Sequence, residues 1–155
     1  MEVIIRDVAE RDQAAARAVQ DAAFALVRTV YRPCPKAVAA PTGKNYVRHR
    51  LVAVFCEEVV GTVGYEVQVD RLHVIGLAVH PKYHRCGIGR QLMDHLAEFA
   101  RGQGLRSLSL YTVEETGNVP IFLRLSFAVV SRNPAEDLES VMGNELMEAF
   151  MMRAL

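Results

Sequence analysis

Leu77-Ala-Val-His-Pro-Lys-Tyr-His-Arg-Cys-Gly-Ile-Gly-Arg90 carries the chain from one kind of pattern into another. The β-rich run Leu72 to His80 is stopped by Pro81, and Gly87-Ile-Gly89 then opens a segment in which Ile88, Leu92, Leu96 and Phe99 recur at helical spacing. A strand that re-enters the chain as a helix through glycines has the parts of an anion cradle. Glycine lets the backbone approach a ligand, and a helix N-terminus offers unpaired N–H groups with a partial positive charge. Lys82, His84 and Arg85 add basic side chains beside it. The spacing is neither that of a Walker loop, since GxxxxGK[ST] is absent, nor that of a dinucleotide fold, since the third glycine of GxGxxG is missing. Two glycines also suit a plain helix start with solvated charges, so the flanking sequence has to decide.

Upstream, Leu51 to Cys56 and Val59 to Val69, separated by Glu57-Glu58, join Leu72 to His80 as a three-stranded antiparallel meander. Further back, Glu2 to Val8 reads as a first strand and Asp12 as the cap of a helix. Ala16, Val19, Ala23, Leu26, Val27 and Val30 mark one face of that helix as far as Tyr31, and Pro33 and Pro35 end it. Cys34 to Lys44, with its prolines and a Thr-Gly pair, reads as a loop. Downstream, Gly102 and Gly104 stop the second helix, Leu105 to Val113 is a strand, Asn118 caps a short helix through Leu125, and Phe127 to Val130 is a brief strand. Glu145 to Leu155 satisfies helix and strand templates equally, behind a Gly143-Asn144 turn. The order is that of an α/β fold: one domain over residues 1–155, with a mixed sheet of six to seven strands flanked by about four helices.

Composition bounds the function. Apolar residues make up 51% and charged residues 23%, so a folded core is expected. Lys plus Arg and Asp plus Glu balance at 18 each, leaving no global positive field for nucleic acid or an anionic membrane. Cys34, Cys56 and Cys86 form no CxxC pair and are odd in number, which argues against a disulfide framework or a metal site and for a reducing, cytoplasmic setting. The N-terminus has no signal-peptide pattern, and no apolar run reaches about 18 residues.

Leu77-Ala-Val-His-Pro81 with His84-Arg-Cys-Gly-Ile-Gly89 resembles the GNAT superfamily of acetyl-CoA-dependent N-acetyltransferases, whose signature is Q/R-x-x-G-x-G/A after a strand. A second segment, Asn118-Val-Pro-Ile-Phe-Leu-Arg-Leu-Ser-Phe127, is similar to the family's NVPxYxRLGF stretch. The resemblance spans roughly Leu51 to Val130. It implies that the backbone of Arg85, Cys86, Gly87, Ile88, Gly89 and Arg90 binds the pyrophosphate of coenzyme A and that Leu77, Ala78 and Val79 accompany the pantetheine arm. His84, Asn118 and Phe122 would complete the cofactor site. Two positions depart from the pattern: His84 stands where glutamine or arginine is usual, and Phe122 where many members carry a tyrosine credited with protonating the leaving thiolate. The resemblance also implies acetyl transfer to a primary amine of a small molecule or protein. The acceptor would be held by roughly residues 23–44 and 131–144. A homodimer is compatible with it, and a cofactor-binding module without catalysis is the alternative.

Attack of an amine on a thioester needs the amine deprotonated, the carbonyl polarised and the thiolate released. A thiol of pKa about 8.5 is a weaker base than an amine of about 10.4, so the thiolate leaves without a strong acid. His73, four residues before Leu77, resembles the placement of a glutamate base in the histone-modifying branch; as a base, its loss would lower kcat by about 10²-fold. The plainer reading is a half-exposed strand histidine sharing a face with Ile75, Leu77 and Val79. Glu66 on the neighbouring strand is a second candidate base, against a solvated surface charge. Tyr111, at the end of its strand, is a substitute hydroxyl, against a buried structural tyrosine.

Overall fold

Alternating apolar residues, broken at turns, resolve into nine strands and three α-helices in the computed structural model, which describes residues 2–34 and 48–155. In chain order these are β1 (Ile4–Asp7), α1 (Gln13–Phe24), β2 (Tyr31–Pro33), β3 (Arg48–Phe55), β4 (Glu58–Val67), β5 (Arg71–Val79), α2 (Ile88–Gly102), β6 (Ser107–Val113), α3 (Val119–Arg124), β7 (Ala128–Pro134), β8 (Leu138–Ser140) and β9 (Met147–Ala154). Seven strands form one sheet in the order β1-β3-β4-β5-β6-β9-β7, and β2 and β8 form a separate ribbon. The meander β3-β4-β5 is antiparallel as its alternation predicts, and among the described residues β5–β6 is the one parallel pair. The loop expected over Cys34 to Lys44 lies, apart from Cys34, outside the described residues.

The two long helices cover opposite faces of the sheet. Helix α2 buries Ile88, Leu92, Met93, Leu96, Ala97 and Ala100 against β3 to β6, and each large side chain so buried contributes roughly 1.5–3 kcal/mol. It comes close to the sheet at Gly61, where a Cβ would lie 2.9 Å from Ile88 Cγ2. Helix α1 packs on β4 and β5 through Ala16 and Val19. Among the described residues no helix is long and apolar enough to cross a membrane.

Three expectations need correction. Asp12 does not cap α1 with its side chain; it accepts hydrogen bonds from Arg6 Nη1 and Nη2 at 2.6 and 3.0 Å and from the Ala9 amide at 2.7 Å. Helix α1 stops at Phe24, short of Tyr31. Leu26 continues the apolar spacing but is 79% exposed, and a 3₁₀ turn at Val27–Thr29 leads into β2, whose backbone pairs with β8. The strand expected over Phe127 to Val130 begins at Ala128 and runs on to Pro134, because β9 supplies partners on both sides of an irregularity at Val130. The ambiguous tail is a strand for a related reason: β9 is inserted between β6 and β7, so its backbone is satisfied on both sides, and its alternation buries Ala149 and Met151.

A bulge interrupts β5. Thr62 opposes Ala78 and Gly64 opposes Ile75, leaving Gly76 and Leu77 together opposite Val63. Gly76 sits at φ +67°, a backbone state that glycine enters without steric cost. The extra residue shifts the alternation, so His73 and Ile75 share a face with Ala78, and Leu77 and Val79 turn to the other.

Candidate active site

At the end of β5, Pro81–Tyr83 forms a 3₁₀ turn, and the chain reaches α2 through two left-handed residues, Arg85 (φ 63°) and Gly87 (φ 78°). The first amide of the helix to be taken up is that of Gln91, by the Gly87 carbonyl at 3.0 Å. Among the described residues nothing accepts from the amides of Arg85 to Arg90. A Cβ at Gly87 would meet no atom within 4 Å, and one at Gly89 would only touch Leu77 and Val79 at 3.8 and 4.0 Å. The turn therefore offers open space in front of a row of free N–H groups at the positive end of a 15-residue helix, a fit for a phosphate or pyrophosphate. Not every side chain expected there points to a ligand. His84 Nε2 lies 2.9 Å from the Val79 carbonyl, and Arg90 Nη2 donates to the Arg124 carbonyl at 2.5 Å. Cys86 is exposed beside the turn.

The neighbouring strands are arranged to leave backbone groups unpaired. β5 and β6 pair only at Arg71–Ser107, Leu72–Leu108 and His73–Ser109, after which they diverge. His80 donates to the Val60 carbonyl, so the register turns the amide and carbonyl of Val79 away from β4, towards the gap. Gly76 and Leu77 from β5 and Tyr111 and Val113 from β6 line a cleft of about 700 Å³, together with Asn118 and Phe122. Phe24, Tyr31 and Leu138 also line it, the last two from the β2–β8 ribbon.

Among the three candidate catalytic residues, the cleft contains Tyr111. Its side is 55% exposed, two residues inside β6, and its ring stacks obliquely on Phe150 with centroids 4.9 Å apart, so it is neither buried nor at the strand end. His73 lies behind it, at the last paired step before the strands part. Its Nδ1 is 2.8 Å from Ser109 Oγ and its ring meets Tyr111 edge-on at 5.5 Å. Burial lowers the His73 pKa, the charge of Glu66 acts in the opposite sense, and Arg71 lowers it further. Glu66 faces His73 across β4–β5, but is buried and ion-paired with Arg48 Nε at 3.3 Å, not a solvated charge. Asn118 begins α3 without a side-chain cap, its amide donating to Thr116 Oγ1 at 3.4 Å. Phe122 packs edge-on against Phe127 and brings no hydroxyl to the cleft.

Sequence alone did not mark Gly76 and Glu148 as cleft residues, and Tyr31, inside the stretch 23–44 expected to hold the acceptor, lines the cleft from a strand. Gly76, a lone glycine inside a strand pattern, carried a readable sign of a bulge. Tyr31 was assigned to the helix. Glu148, in the ambiguous tail, faces the cleft beside Val113, and its pKa is raised first by burial and then by Asp137.

The acetyltransferase (GNAT) family profile matches residues 17–127. Solved structures share the fold. The ribosomal-protein-S18-alanine N-acetyltransferase of Escherichia coli superposes with a TM-score of 0.74 at 21% identity, covering 99% of this chain and 94% of its own. The PaiA N-acetyltransferase of Thermoplasma acidophilum, solved with coenzyme A, gives 0.75 at 12% identity with complete coverage of both chains. Nourseothricin acetyltransferase gives 0.72 at 21% identity and 99% coverage of each. With most of the chain inside the family profile, and a seven-stranded sheet that parts beside a glycine-opened helix, this protein belongs to the GNAT acetyltransferase family.

Proposed function

We propose that the protein transfers an acetyl group from acetyl-CoA to a primary amine of a small molecule or protein, by direct attack with both substrates bound. The observation that carries this reading is the meeting of two features at one place: the free amides of Arg85 to Arg90 and the gap between β5 and β6 beyond the bulge. In this reading the pyrophosphate of coenzyme A lies on those amides and the pantetheine arm follows Leu77, Ala78 and Val79 into the cleft. The thioester carbonyl is then polarised by backbone N–H groups that β6 does not engage.

His73 and Glu66 take no direct part here, because neither lines the cleft. We give His73 a positioning role, bracing Tyr111 from behind while held by Ser109. Tyr111 is the candidate hydroxyl near the reacting atoms. Residues 1–155 act as one domain in this reading, in the cytoplasm.

Purified protein should gain thermal stability with millimolar acetyl-CoA and release thiol with at least one member of a broad amine panel. No thermal shift would end the proposal. Phe122 favours a second reading, a module that holds acetyl-CoA without turning it over, since its ring supplies no proton for the thiolate. Thiol release with any amine excludes it.

A further inference from the structure

The charges lining the cleft are not equivalent. Arg28 is paired with Asp21 at 2.9 Å and Arg32 with Glu139 at 3.2 Å, both pairs exposed. Glu148 is half-buried at the inner wall and has no hydrogen-bond or ion-pair partner among the described residues. Its register partners, Val113 on β6 and Asn133 on β7, bring no charge to it. Glu114 is engaged by Arg132, and both carboxylate oxygens of Glu115 receive the Met147 amide. The titratable groups that face Glu148 are Tyr31 from the β2–β8 ribbon, Asp137 before β8 and Tyr111 on β6. Tyr31 carries the imprint of this carboxylate: its phenol is raised by burial and, next, by the charge of Glu148. Phe24, Val27, Leu77, Leu138 and the ring of Tyr31 make much of the remaining wall apolar, while Thr112, Thr116 and Asn118 bring uncharged polar groups.

A half-buried carboxylate without a partner is costly unless something cationic meets it. We propose that Glu148 receives the ammonium group of the acceptor and takes its proton, selecting amines borne on an apolar or aromatic body. This rests on the acetyl-transfer reading. One ammonium proton moves to Glu148, and the freed lone pair forms the C–N bond at the thioester carbonyl carbon. The C–S bond breaks with its electron pair on sulfur, and a second N–H proton goes to that sulfur as the thiol. The amide keeps the third. Partial desolvation brings the carboxylate closer to an amine in basicity, which suits it to the first of these transfers. An acceptor with a carboxylate beside its amine would be repelled by the same charge.

Phenethylamine and phenylalanine separate these demands, and Glu148→Gln removes the charge at constant shape. With acetyl-CoA, wild type should release thiol with phenethylamine in preference to phenylalanine, and the Gln variant should lose kcat/KM by at least about 10²-fold together with the acid limb of the pH profile. Acetyl-CoA binding, read by calorimetry, should be unchanged in the variant. Calorimetric binding of phenethylamine to the coenzyme A-loaded protein should weaken at least about tenfold on the same substitution, roughly one charge-assisted hydrogen bond. Equal phenethylamine affinity in wild type and variant, no affinity in either, or an unaltered pH profile overturns the assignment of Glu148. Absence of acetyl-CoA binding, with Glu148-dependent binding of phenethylamine to the protein alone, instead overturns the acetyl-transfer reading and leaves the amine site standing.

Discussion

His84 Nε2 lies 2.9 Å from the Val79 carbonyl oxygen, so the residue at the first position of the glycine motif closes the turn back onto the strand that precedes it. The usual glutamine or arginine at this position is replaced by a short ring used for internal bracing. A neutral hydrogen bond of this kind is worth about 0.5–1.5 kcal/mol. His84→Ala should therefore weaken acetyl-CoA binding by about 2- to 13-fold, read by calorimetry, without abolishing it. Loss of all binding would mean that His84 touches the ligand itself.

Gly87 gives a sharper contrast. Gly87→Ala meets open space and is penalised by its left-handed φ alone, about 1–2 kcal/mol. Gly87→Glu adds a carboxylate in front of the free amides and should abolish acetyl-CoA binding through charge. Both variants should fold, by circular dichroism. Equal affinity of the Glu variant and wild type would refute the phosphate site.

Gly76→Ala tests the bulge. The nearest atoms to an added Cβ are Gln20 Nε2 at 3.9 Å and Phe24 Cζ at 4.0 Å, so there is no clash, and the penalty is the φ of +67°. About 1–2 kcal/mol corresponds to a Tm lower by roughly 2–8 °C for a chain of this size. A scanning calorimetry trace identical to wild type would show that the bulge does not require a left-handed residue.

For His73, a positioning role and a base role differ in size. His73→Ala should lower kcat by less than about tenfold, with the shape of the pH–rate profile retained; a general base would cost about 10²-fold or more and reshape the acid limb. The larger loss would return His73 to the chemistry.

Asp12 should govern acid stability at the N-terminus. Hydrogen bonds from Arg6 and the Ala9 amide lower its carboxyl from 3.8 to about 2. The depressed folded value means the stabilisation is complete above the unfolded pKa and disappears as pH falls through the folded one. Urea midpoints should drop between about pH 4 and pH 2, and Asp12→Asn should be less stable at pH 6 but flatter across that window. Parallel curves for the two proteins would show that Asp12 is not the group responsible.

The sheet and its glycine turn were legible because both are local. Alternation marked β3, β4 and β5, and Pro81 with the two glycines marked the crossing into α2. What escaped depends on distant partners. Tyr31 continues a helical pattern in sequence, yet it becomes a strand because a segment about a hundred residues later pairs with it, as the Arg32–Glu139 contact, 107 residues apart, also records. Glu148 could not be placed until the tail was known to be a strand, since only then does its side chain have a definite face. His73 was set on the same face as Leu77 by plain alternation, and one left-handed glycine between them reversed that.

The three-residue contact between β5 and β6 also bears on how the molecule opens. It is the only ladder joining β1-β3-β4-β5 to β6-β9-β7 among the described residues, so the two halves of the sheet meet along a short seam, bridged by α2. Native-state amide exchange should resolve them as two sets of protons with separate opening free energies. The amides of the seam should exchange with the weaker unit, so the place where the strands part would also set the line along which the sheet opens short of global unfolding.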